Sequence, residues 1–170
     1  FLILIILHYL KNNHLTDTDT AATFNDHTKP QLLIAEDNPD VTFYICSILE
    51  PFYDITTAAN GAEAIDKALE QIPDLIISDV MMPVKDGFEL VATLKQDERT
   101  SHIPIVLLTA KATQQDKLNG LKYGADAYLM KPFDKEELLV RLEKLLEMRK
   151  PLVTRVVALP KVRGRKPGNT

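Results

Sequence analysis

Five side chains able to do chemistry stand where apolar runs stop. Glu36 and Asp37 follow Leu32–Ala35, and Asp79 follows Leu75-Ile76-Ile77-Ser78. Thr109 follows Ile103–Leu108, and Lys131 follows Ala127–Met130. If those runs are parallel strands, their carboxyl ends share one crevice, the place where open sheets bind ligands. Three close carboxylates repel one another, so such a set needs an offset. A hard divalent cation supplies one, and Mg²⁺ takes one or two carboxylates together with waters and phosphate oxygens. A carboxylate beside that ion and an ammonium can attack phosphorus and carry an acyl phosphate. The metal and Lys131 would neutralise charge on the transferring oxygens, and the Thr109 hydroxyl can donate to one of them. Asp79 is the expected nucleophile because it ends the central apolar run. Glu36 and Asp37 are then the metal holders.

Each residue also has a plainer reading. An Asp after a strand often caps the next helix, Tyr128 could be an ordinary strand aromatic, and a lone lysine is usually solvated. The set of five in register favours a site.

The elements that must position these groups are legible as alternating short apolar runs and amphipathic stretches, the pattern of βα units. Strands are expected at Leu32–Ala35, Ile55–Ala58, Leu75–Ser78, Ile103–Leu108 and Ala127–Met130, with the fourth the longest. Between them, Val41, Tyr44, Ile45, Ile48 and Leu49 recur at helical steps, with Pro39 placed to open that helix. Ala62, Ala64, Ile65, Ala68 and Leu69 mark a second helix closed by Pro73, and Phe88, Leu90, Val91 and Leu94 a third. A more polar helix is expected over 114–123. Asp134 should cap the last one, which carries Leu138, Leu139, Leu142, Leu145 and Leu146.

The chain of 170 residues is 45% hydrophobic and 26% charged, which suits one globular domain with tails. Residues 31–150 hold 13 basic and 21 acidic side chains, a net of −8, whereas 151–170 hold five basic residues and no acid. An acidic body does not suit nucleic acid; the tail, with Arg163-Gly164-Arg165, is expected to be a solvated, disordered end. The single cysteine, Cys46, excludes a disulfide framework and is expected to be a small core residue. The apolar start, Phe1–Leu7, is far shorter than the roughly 20 residues needed to span a bilayer. Residues 11–30 read as a polar linker, so the expected division is 1–30, 31–150 and 151–170. His8, His14, His27 and His102 fall in linker or loop sequence and are expected to be exposed.

The segments LLIAEDN (32–38), LIISDVMMPVKDG (75–87), IVLLTAKA (105–112) and GADAYLMKPF (124–133) resemble the receiver domain of two-component response regulators. The resemblance implies a flavodoxin-like (βα)5 three-layer sandwich with a five-stranded parallel sheet in the order 2-1-3-4-5. It implies that Asp79 is the phosphoacceptor for a histidine kinase phosphohistidine. Glu36, Asp37 and Asp79 would place Mg²⁺, with the Met81 backbone carbonyl as a further ligand. Lys131 would contact the phosphoryl group, Lys131-Pro132 would be a cis peptide, and Thr109 and Tyr128 would be the switch pair beside a small Ala110. The altered face would be 114–123, 127–130 and 134–148, serving a partner or a homodimer. Turnover would be limited to self-phosphorylation from a phosphodonor and autodephosphorylation.

The wording of 75–112 is most similar to receivers of bacterial hybrid sensor kinases, which implies a cytoplasmic place and no membrane contact by this domain. DNA would be reached only through an output domain. A stand-alone regulator is the alternative. An aspartyl-phosphate phosphatase would want a second Asp two residues after the nucleophile, where this chain has Met81.

Overall fold

The computed structural model describes residues 29–110 and 122–149. Five strands form one parallel sheet: β1 Gln31–Ala35, β2 Asp54–Ala58, β3 Leu75–Asp79, β4 Ile105–Thr109 and β5 Ala127–Met130. Their order is β2-β1-β3-β4-β5, the flavodoxin-like arrangement expected from the sequence. Ala35 pairs with Ser78, Asp79 with Leu108, and Thr109 with Met130, so the charged residues end level with one another.

Four described helices connect and cover the sheet: α1 Pro39–Leu49, α2 Gly61–Gln71, α3 Gly87–Gln96 and α4 Lys135–Arg149. The helix expected over 114–123 lies outside the described residues except for Lys122 and Tyr123, as do both expected tails up to residue 28 and from 150. Three helices start on polar caps at the same end of the sheet as the site. Asn38 accepts from the Asp40 and Val41 N–H groups with Pro39 in the first turn, and Asn60 accepts from Glu63 N–H. Asp86 and Glu89 form a reciprocal capping box.

Both faces of the sheet are covered, which is why β3 and β4 are buried at every position. Leu32, Ile34, Ile77, Val106 and Leu108 pack with Ile45 and Leu49 of α1 and Leu138 and Leu142 of α4. On the other face Leu33, Ile76, Ile105 and Leu107 pack with Ala64 and Ala68 of α2 and Leu90 and Leu94 of α3.

Three details depart from the periodicity. Tyr44 was expected on the buried stripe of α1 but is 47% exposed, its ring 6.1 Å from that of Phe133. Steps of three and four from Val41 reach both Tyr44 and Ile45; burial goes to Ile45, Ile48 and Leu49, with Cys46 half-buried beside them. β4 begins at Ile105 rather than Ile103, because Pro104 has no N–H for the ladder although its carbonyl accepts from Ile76 at 3.0 Å. It is five residues long, the same as β1, β2 and β3, not the longest strand. Finally, α2 closes on Ile72 at φ 48°, a left-handed cap without glycine, just before Pro73.

Candidate functional site

The register of the strands brings the chemistry-bearing residues together. Glu36 follows β1 and is buried, its N–H donating to Ala58 O at 3.0 Å and its Oε1 accepting from Asn38 N–H at 3.1 Å. Asp79, the last residue of β3, is buried, and Asp37 is exposed. One carboxylate oxygen from each of Glu36, Asp37 and Asp79 lies within 4.8 Å of the other two. Lys131 reaches them from the end of β5: its Nζ is 2.8 Å from Glu36 Oε2 and 3.2 Å from Asp79 Oδ1.

Thr109 is buried at the end of β4, and its carbonyl accepts from Lys131 N–H at 2.8 Å, tying the two strand ends together. The Lys131–Pro132 peptide bond is cis, and Ala110 is exposed beside it. Tyr128 is half-buried in β5, paired with Leu107 and packed against the α2–α3 side of the core. The Met81 side chain is exposed. Of the four histidines only His102 is described, and it is exposed in a turn.

Burial pushes the Glu36 carboxyl above its ordinary value, opposed by the Lys131 hydrogen bond and the Asn38 N–H. Burial alone would lower the Lys131 ammonium. The hydrogen bond to Glu36 and the charges of Asp79 and Glu36 outweigh it, and Lys131 is held above its ordinary value. Among the described residues one cation, Lys131, therefore stands against three carboxylates, an arrangement with room in charge for a small hard divalent ion.

Two turn glycines and the strand residue Ser78 fix the loop over this site. Gly87 donates its N–H to Val80 O at 2.9 Å, and a Cβ there would lie 2.4 Å from the Asp79 carbonyl oxygen. Gly61 donates to Lys85 O at 3.1 Å, and its Cβ would lie 2.3 Å from that oxygen. Buried Ser78 donates its hydroxyl to Asp79 O at 2.9 Å. The available signal was a glycine directly after each cap, Asn60-Gly61 and Asp86-Gly87.

A parallel sheet in this order, whose strand ends gather an acidic cluster and a lysine among the described residues, is a flavodoxin-like α/β module with a charged cleft. The chain belongs to the response regulator receiver domain family, which matches residues 32–143; it is a receiver domain of two-component signal transduction. It is 43% identical over 126 residues to hybrid signal transduction histidine kinase D of Dictyostelium discoideum, an alignment covering 74% of this chain and 8% of that protein. It is equally 43% identical over 118 residues to the DNA-binding dual master transcriptional regulator RpaA of Synechocystis, covering 69% of this chain and 49% of that one. Among solved structures, the receiver domain of sensor histidine kinase PA1611 from Pseudomonas aeruginosa carries a magnesium ion coordinated in its active site cleft. That domain is 34% identical, with a TM-score of 0.67 covering 71% of this chain and 99% of its own. The chain thus spans less than a tenth of one curated relative and about half of the other.

Proposed function

We propose that Asp79 takes a phosphoryl group from the phosphohistidine of a histidine kinase or of its phosphotransfer domain. A carboxylate oxygen of Asp79 attacks phosphorus, the donor P–N bond breaks as the new P–O bond forms, and the freed imidazole takes up a proton. The observation that supports this reading is Lys131, whose ammonium bridges Glu36 and Asp79 beside the three-carboxylate cluster. In this role Lys131 neutralises charge on the phosphoryl oxygens and Thr109 donates its hydroxyl to one of them. Glu36, Asp37 and Asp79 would hold Mg²⁺, with the Met81 backbone carbonyl as a further ligand. When bound, the ion supplies charge neutralisation at the transferring oxygens.

Movement of Thr109 toward the phosphoryl group, with Tyr128 turning inward, would alter the face made by 114–123, 127–130 and 134–148, which binds a partner or a second copy. The working unit spans 31–150, and its place is the cytoplasm, where phosphohistidine donors reside. Among the described residues no helix is long and apolar enough to cross a membrane. A hybrid-kinase parent is supported by the similarity to hybrid signal transduction histidine kinase D. RpaA's equal identity supports a regulator with a separate output domain, through which alone DNA would be reached.

The test is incubation with acetyl phosphate and Mg²⁺ followed by intact mass, with and without EDTA. One phosphoryl group should be gained, with Mg²⁺ required, and none in Asp79→Asn. Undiminished uptake by Asp79→Asn would move the acceptor elsewhere.

A further inference from the structure

We infer that Asp74 and Arg149 form a latch that ties the chain leaving the domain to the chain arriving in it. Asp74 stands just before β3, at the opposite end of that strand from Asp79. Its N–H donates to Gln31 O at 2.9 Å and its Oδ2 accepts from Gln31 N–H at 2.9 Å, so it grips the first residue of β1 from both sides. Its other oxygens face Arg149: Nη1 donates to Asp74 O at 2.7 Å and to Oδ1 at 3.1 Å. One residue therefore joins two points of the chain that are 118 positions apart, Gln31 and Arg149.

The two points are not held equally. The arriving chain has further ties: Lys29 Nζ donates to Glu50 O at 3.0 Å, and Pro30 O accepts from Asp54 N–H at 3.0 Å. The leaving helix loses its apolar hold before it ends. Leu138, Leu139 and Leu142 are buried and Leu145 and Leu146 partly so, but Glu147 is exposed and Met148 is 82% exposed. Among the described residues, the guanidinium of Arg149 is the polar tie of this last turn to the sheet.

The pair is accessible to solvent, with side chains 28% and 45% exposed. Such a bridge is screened by salt and can open without unfolding the core. Closed, it fixes the direction in which α4 hands the chain on. Open, it lets the last turn fray from Leu146 onward. The latch thus sets how stiffly anything that follows is carried on the receiver, and its logic is independent of the chemistry at Asp79.

Hydrogen exchange of the full chain, read by mass spectrometry, tests this. The amides of 146–149 donate to carbonyls four residues earlier and are protected only while the last turn is helical. Arg149→Ala should speed their exchange several-fold while peptides covering 75–79 and 105–109 exchange as in the wild type. Asp74→Asn, which removes the charge but keeps an acceptor for Gln31 N–H and leaves the Asp74 carbonyl to Arg149, should give a smaller rise in the same peptide. Wild-type protein at about 1 M salt, where the screening length falls to about 3 Å, should follow. Unchanged exchange of 146–149 in Arg149→Ala overturns the latch. So does an equal rise in the β3 and β4 peptides, because Arg149 would then support the whole fold rather than its exit.

Discussion

Lys131 is the residue on which the site's electrostatics turn. It is the cation that Glu36, buried and pushed upward, and Asp79 both meet. Removing it leaves two carboxylates without their hydrogen-bonded partner and takes a positive charge away from the transferring oxygens. Lys131→Met should slow phosphoryl uptake from acetyl phosphate by about a hundredfold or more, the scale on which removal of one transition-state donor is felt. The check is the initial rate of mass gain at saturating Mg²⁺, and a rate within a factor of a few of wild type would remove Lys131 from the reaction. At this scale much was legible, because charged residues that stop apolar runs are visible without a structure. The pairing of Lys131 with Glu36 across 95 positions was not; it needs the strand register that sets β1, β3 and β5 level.

The loop from β3 to α3 shows how elements constrain the site. Val84 adopts φ 69° with its side chain 78% exposed, so a β-branched residue bears left-handed backbone strain and gains little packing in return. Left-handed geometry costs about 1–2 kcal/mol for a non-glycine residue, against which glycine's extra unfolded-state freedom costs about 0.4–1 kcal/mol. Val84→Gly should therefore raise stability by up to about 1.5 kcal/mol, read as a higher denaturation midpoint at unchanged slope. Gly87→Ala should do the reverse, since its Cβ would meet the Asp79 carbonyl at 2.4 Å and backbone must move. A loss of about 1–3 kcal/mol is expected, with weaker Mg²⁺ binding because Asp79 shifts with its carbonyl. Helix and strand existence was readable from apolar spacing. Val84's backbone was not, because no side-chain pattern reports φ, and the start of β4 moved because Pro104 cannot donate to the ladder.

Two whole-molecule properties follow from packing charges and polar groups against a sheet covered on both faces. Tyr53 is buried beneath α1 and α4, and burial, with the Glu143 charge adding, pushes its phenol up to about 12. Between pH 10 and 12 the unfolded chain releases a proton that the folded chain keeps, so stability is full below 10 and falls as pH rises through 12. Lys131, also held above its ordinary value, adds to the loss in the alkaline range. The tyrosine share is about 2–3 kcal/mol, and Tyr53→Phe should remove that share of the alkaline loss of stability, read as a smaller fall in Tm between pH 10 and 12. The second property concerns the cation. Folding brings Asp79 within 4.8 Å of the neighbouring Glu36 and Asp37, a cluster that the unfolded chain does not hold together, so an ion that needs all three carboxylates stabilises the folded state. At a hundredfold excess over its dissociation constant, Mg²⁺ should add about 2.7 kcal/mol. Tm should rise with Mg²⁺, return with EDTA, and respond less in Asp37→Asn, whose exposed side chain has little part in the core. A Tm that ignores Mg²⁺ while the protein stays folded would mean that the acidic cluster does not hold the ion, and the proposed phosphotransfer would lose its charge offset.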